Sequence, residues 1–184
     1  MGVDATLAAI VLAFSVLLAT PGLDQWVAPA AGQLPDPVCT VLPGQSIQAA
    51  VDAAGPGAMI TVCPGIYAQQ VVLHKSWITL SGLPGATMDG TSLVGERHAF
   101  IVPDGAHDVA VTGFEVRNYA NPGAARDRST AVVAWGGHTA RITFADNDVH
   151  DNAHAGILAG DGVHDAWRVT GNTFVGDGRA GVPL

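Results

Sequence analysis

The chain has 184 residues, which suits one domain with its own core. Charged residues make up 13%, about half the usual quarter, and glycine supplies 23 positions, a balance that favours a turn-rich all-β protein over a helical one. The net charge of −8 and the single lysine, Lys75, exclude a nucleic-acid partner, whose phosphates need a basic patch.

The first segment, 5–19, is continuously apolar. It is short for a membrane span, which needs roughly 20 residues, and it fits the core of a signal peptide. Ala28-Pro29-Ala30 supplies a small-residue cleavage site, although Asp4 stands where a basic residue is usual. Residues 1–30 are therefore expected to export the chain to the medium or the cell envelope. An uncleaved anchor is the alternative, and this segment is the only membrane contact foreseen. Residues 31–38 are a Pro-containing linker, and the folded domain is expected to span 39–184.

Two cysteines follow, Cys39 and Cys63. In an exported chain they invite a disulfide, provided that the strands beginning after Cys39 and ending at Cys63 are neighbours. Two separate buried thiols are the alternative. Between them lies one convincing helix, 46–54: Ser46 is a good N-cap, and Ile47, Ala50, Val51 and Ala54 share a face. Pro56-Gly57 ends it. A short amphipathic helix suits a lid over the open end of a stack of strands.

Beyond the helix the pattern turns to short strands separated by Gly, Asn and Asp. Candidates are 59–63, 69–73, 77–80, 98–102, 108–112, 114–117, 131–135, 140–144, 148–150, 156–159, 166–170 and 173–175. Four matching tetrapeptides recur among them: LSGL, VTGF, FADN and VTGN, beginning at positions 80, 111, 144 and 169. An apolar residue stands two positions before each: Ile78, Val109, Ile142 and Trp167. Spacing of this length with tight turns predicts a solenoid, with Leu80, Val111, Phe144 and Val169 as an inward column. Trp167 falls in the inward column with Ile142. Asn147 and Asn172 occupy equivalent turn positions, where stacked amides bond to each other and to neighbouring backbone.

Three strands per coil, the capping stretch 43–73 and the asparagine turn resemble the right-handed parallel β-helix of the pectate-lyase-like superfamily. The stretch 75–91 followed by 109–118 is similar to the first coils of its sugar-acting members. The likeness covers about 39–178. It implies a fold more than an activity, because such repeats serve lyases, hydrolases, epimerases, spikes and adhesins. The sequence ends at Leu184 inside what would be another coil, so a C-terminal truncation is expected.

In the resembling enzymes the substrate groove runs over one strand of each coil, here 98–102, 130–135 and 155–160. These strands carry almost no ionisable group beyond His98, so the loops must supply the chemistry. The loop 117–129 offers Arg117, Arg126, Asp127 and Arg128; the next coil offers His150, Asp151 and His154. His138, Asp161, His164 and Asp165 would form the opposite wall. On this reading Arg126 and Arg128 clamp a substrate carboxylate, and His154 or an arginine removes the proton α to it. Arg117, Asp127, Trp135 and His138 bind substrate, Trp135 through its flat face. Asp151, Asp161 or Asp165 would bind a Ca²⁺ ion through carboxylate oxygens, the one cofactor foreseen. Taken singly, each has a plainer role: a solvated loop for Arg126, Asp127 and Arg128, and turn formation for Asp148 and Asp151.

The resemblance implies an exported β-helix acting on carbohydrate, with an acidic polysaccharide as partner and β-elimination or epimerisation at a uronate as the chemistry. The rival reading is a non-catalytic adhesin or envelope scaffold. A third is a periplasmic helper of metalloenzyme maturation.

Overall fold

In the computed structural model, residues 39–176 are described, except Glu96, Gly123, Ala125 and Arg126. The export segment, the linker, Arg126 and the last coil's tail lie outside the described residues. Among the described residues no helix is long and apolar enough to cross a membrane.

Among the described residues one helix, α1 (Ile47–Ala53), is followed by fifteen short strands. In chain order they are β1 (Met59–Val62), β2 (Gly65–Tyr67), β3 (Val71–Val72), β4 (Ile78–Gly82), β5 (Ala86–Asp89), β6 (His98–Ile101), β7 (His107–Thr112) and β8 (Glu115–Arg117). Then come β9 (Thr130–Trp135), β10 (His138–Ala145), β11 (Asp148–His150), β12 (Ala155–Gly160), β13 (Val163–Asp165), β14 (Arg168–Thr170) and β15 (Thr173–Val175). Every pairing is parallel, and each strand pairs with the one about three places on. Three sheets result: sheet A (β1-β4-β7-β10-β13, with β14 also on β10), sheet B (β2-β5-β8-β11-β15) and sheet C (β3-β6-β9-β12). The chain thus visits A, B and C in turn and stacks each visit on the last. This all-β arrangement is consistent with a parallel β-solenoid.

Strand periodicity sends alternate side chains inward, and register stacks them by kind. On sheet A, Ile60, Leu80, Val111, Phe144 and Val169 pair in one column, as expected for the last four. The first four are buried, whereas Val169, in the last described coil, is 48% exposed. Sheet B contributes Tyr67, Met88, Val116 and Val149; sheet C contributes Val71, Phe100 and Val132. Phe100 meets Phe114 and Phe144 edge to face at 5.4 and 6.4 Å, joining the sheets in one core. Trp167 packs half-buried against that core and donates from Nε1 to Thr139 Oγ1 at 3.0 Å.

The helix caps the first coil as its sequence predicts. Ser46 Oγ accepts from Ala49 N at 3.1 Å, and Ile47 and Val51 are fully buried. Gln48 adds what the pattern does not reveal: its amide accepts from Val72 N (2.6 Å) and donates to Val72 O (3.2 Å), taking the place of a missing strand. Cys39 and Cys63 form the disulfide, with Cα atoms 5.3 Å apart.

Asn147 and Asn172 form the expected ladder at the turn from A to B. Nδ2 of Asn147 donates to Asn172 Oδ1 at 2.9 Å and to Val111 O at 3.2 Å, while its Oδ1 accepts from Phe114 N. Asn152 repeats the device at the next turn, accepting from Tyr119 N and donating to Val116 O.

The strands β2, β5 and β13 are absent from the expected set, and β3 is shorter than the expected 69–73. Three or four residues are too few to show a period of two. The expected strand 166–170 begins later, because Ala166 takes a left-handed φ of 53° and separates β13 from β14.

Candidate functional site

The outer face of sheet C is the surface that the sequence singles out. Ile101, Val133 and Leu158 pair across β6, β9 and β12 and form an apolar floor. His98 stands at one end, its Nδ1 2.8 Å from Thr130 Oγ1. Trp135 stands at the other end, 54% exposed. Its ring lies over the next rung because residue 160 is glycine: a Cβ there would sit 3.0 Å from the indole Cζ3. The guanidinium of Arg128 lies 6.0 Å from the Trp135 ring centroid. These groups bound a cavity of about 360 Å³. Arg128 forms no ion pair among the described residues, so its charge faces the cavity uncompensated.

The loop that brings Arg128 there is held from within. The Asp127 carboxylate accepts from the backbone N–H groups of Asn121 and Ser129. Ser129 O accepts from His154 N at 3.0 Å, and Ser129 Oγ accepts from Arg97 N. Arg97 itself is buried and donates to the carbonyls of Gly90 and Gly95. Asp127 thus shapes the loop through backbone N–H groups, and Arg97 is a positioning residue that the sequence reading missed.

The other expected site residues stand elsewhere. Arg117 is on sheet B, not beside the sheet C floor. It donates to Asp89 (3.0 Å) and Glu115 (2.7 Å), and Glu115 also takes a hydrogen bond from Thr87 and meets His150 Nε2 at 3.1 Å. His150 Nδ1 lies 2.8 Å from Asp151 Oδ2. Five ionisable side chains therefore form one chain across three rungs. Burial pushes the Asp89 carboxyl up, but hydrogen bonds from Thr91, Arg117 and Asn118 outweigh it and bring the pKa to about 2. Glu115 is likewise lowered: burial opposes the shift, and bonds from Thr87 and His150 with the charge of Arg117 exceed it. His150 is raised, chiefly by its bond to Asp151 and then by Glu115, against some burial.

Of the expected calcium ligands, Asp151 ends this chain on sheet B. Asp161 follows β12 with a left-handed φ of 51°, and Asp165 ends β13 opposite His138, whose Nε2 is 3.1 Å away. The strand β12 separates Asp151 from Asp161, a span on the order of 20 Å. Among the described residues no three His, Cys, Asp or Glu side chains gather to hold a metal ion, so the three carboxylates do not make the multi-oxygen site that calcium requires. His138 begins β10, an inner strand of sheet A, and pairs with exposed Asp165. His154 is exposed in the turn before β12 and is not part of the cavity wall. The structure therefore brings together Arg128 and Trp135 of the expected set, and adds His98.

No family model, no curated protein and no solved structure matches this chain.

Proposed function

We propose that this chain is an exported right-handed parallel β-helix of the pectate-lyase-like type, which binds an acidic polysaccharide on the outer face of sheet C. The observation that carries the reading is Arg128 beside Trp135. An uncompensated guanidinium next to an exposed indole suits a uronate, whose carboxylate pairs with the cation while its ring stacks on the aromatic face. The apolar floor of Ile101, Val133 and Leu158 excludes water from that contact. The Cys39–Cys63 bridge supports an oxidising compartment outside the cytosol.

Binding, not elimination or epimerisation, is the activity this geometry supports. The described cavity wall holds an arginine and an imidazole but no carboxylate. His98 is already engaged with Thr130, and the expected base His154 stands outside the wall.

The test is electrophoresis of the full chain through gels containing pectate or alginate, with and without Ca²⁺. Retention is expected, and Arg128→Ala or Trp135→Ala should each weaken it by about tenfold. Free migration of the full chain in both gels would sink the reading. New unsaturated ends in the polymers would replace binding with a lyase activity.

A further inference from the structure

We propose that the outer face of sheet A carries a second saccharide site, for a neutral, hydroxyl-rich sugar stacked on Trp77. This site does not rest on the reading of sheet C, since it uses other residues on another sheet.

Three positions before the first three tetrapeptides stand Trp77, Asp108 and Arg141, and before the fourth stands Ala166. The register that pairs Ile78, Val109 and Ile142 brings the first three into adjacent rungs. All three take left-handed backbone, with φ of 61°, 54° and 52°. That conformation is costly for an L-residue, less so for Asp, and glycine would meet it freely. Ala166, at the equivalent place in the last described coil, shares the conformation with φ of 53°, so it belongs to this corner of the repeat and aligns these side chains on one face.

The side chains of Trp77, Asp108 and Arg141 wall an open concavity of about 740 Å³. Trp77 is 53% exposed. Its ring is braced edge-on by His107 at 5.7 Å, which fixes its plane. Arg141 grips Asp108 with both ends of its fork, Nε to Oδ1 at 2.7 Å and Nη2 to Oδ2 at 2.5 Å. The floor is the in-register row Thr79, Ala110 and Thr143, small enough to leave depth and carrying two hydroxyls.

This is the chemistry that a pyranose satisfies. Its C–H face lies on an indole, and its hydroxyls find acceptors on a carboxylate and donors on a guanidinium. Bonds from Arg141 first, and then from His107, bring Asp108 to a pKa of about 2, so it accepts throughout the neutral range. The bidentate pair also decides the class of sugar. Arg141 is already neutralised, so an anionic sugar gains no charge here, in contrast to Arg128.

The experiment is native electrophoresis of the full chain through gels of three neutral polymers: a mixed-linkage β-glucan, a galactomannan and a xylan. Retention on at least one is expected. Trp77→Ala should reduce it by about tenfold, and Trp77→Phe should restore most of it. Thr143→Arg, which fills the floor and leaves the indole in place, should match Trp77→Ala; circular dichroism verifies that each variant folds. Free migration in all three gels overturns the proposal, as does equal retention of the Trp77→Ala and Thr143→Arg variants with the parent. Pectate and alginate gels test sheet C separately, so failure of one site is not failure of the other.

Discussion

Asn147 and Asn172 stand one coil apart and bond amide to amide, Nδ2 to Oδ1, at 2.9 Å. Asn147 is buried and also bonds two backbone groups of the preceding coil, Phe114 N and Val111 O. Asn147→Ala would leave both without their partner in a place water does not reach. The expected loss is about 2–4 kcal/mol, read as a lower urea midpoint at unchanged m. Asn172→Ala removes as many side-chain bonds, but from a more exposed coil where water can replace them, and should lose about half as much. Equal losses would mean that the ladder contributes only through its length.

Gln48 holds Val72 by both its N–H and its C=O. Replacing it with leucine keeps the helix and its buried face but uncovers the edge of β3. Gln48→Leu should cost about 1–2 kcal/mol of stability and raise self-association, because an uncovered edge pairs with other chains. Light scattering against concentration reads the second effect. Gln48→Glu retains the acceptor but not the donor, and should fall between the two.

The ladder and the cap were legible because each depends on residues close in sequence or repeated at a visible period. Tetrapeptides beginning at 80, 111, 144 and 169 announce the inward column, and Ser46 announces the helix. The chain of charges on sheet B was not legible. Asp89, Glu115 and His150 meet only once the register of β5, β8 and β11 is known, and strands this short show no register of their own. Trp77, Asp108 and Arg141 had a signal available: all stand three places before a tetrapeptide. Three unlike side chains share no property that marks the position, whereas the apolar residues that follow do. Asp151, Asp161 and Asp165 are spread by the coil itself. Loops of successive coils stack, but these residues belong to different corners of the same coil.

The sheet B charges make a prediction about pH. Asp89 and Glu115 have lowered folded pKa values, so their contribution is full above their ordinary values of 3.8 and 4.5 and is lost as pH falls through the folded ones. For Asp89 that loss runs from about 3.8 down to about 2. His150 is raised above its ordinary 6.5, so its contribution is full below 6.5 and is lost as pH rises through the folded value. The network is therefore strongest between about 4.5 and 6.5. His150→Gln should be less stable than the parent at pH 5.5, with the gap narrowing by pH 8.5. Urea midpoints at the two pH values measure this. A gap that does not change with pH would show that the imidazole acts there as a neutral hydrogen-bonding group.

Gly160 separates a binding role for Trp135 from a packing role. An alanine Cβ at 160 would sit 3.0 Å from Cζ3 and 3.3 Å from Cε3 of the indole, too close for the ring to remain where it is. The obstacle is the far end of an exposed side chain, so the ring can swing out and the backbone need not move. Glycine in a strand also carries an entropic cost that alanine avoids, roughly 0.5–1 kcal/mol. Gly160→Ala should therefore leave stability unchanged or slightly improved. The same substitution tilts the indole away from Arg128 and from the floor of Ile101, Val133 and Leu158. Retention on pectate or alginate should then fall several-fold, approaching the tenfold loss expected of Trp135→Ala. Thermal unfolding and gel retention of one sample give both numbers. If binding survives while the ring is shown by fluorescence to have moved, the indole is not the platform and the Arg128 charge alone holds the polymer. If stability falls by more than about 1 kcal/mol, Trp135 is a packing residue whose exposed face is incidental.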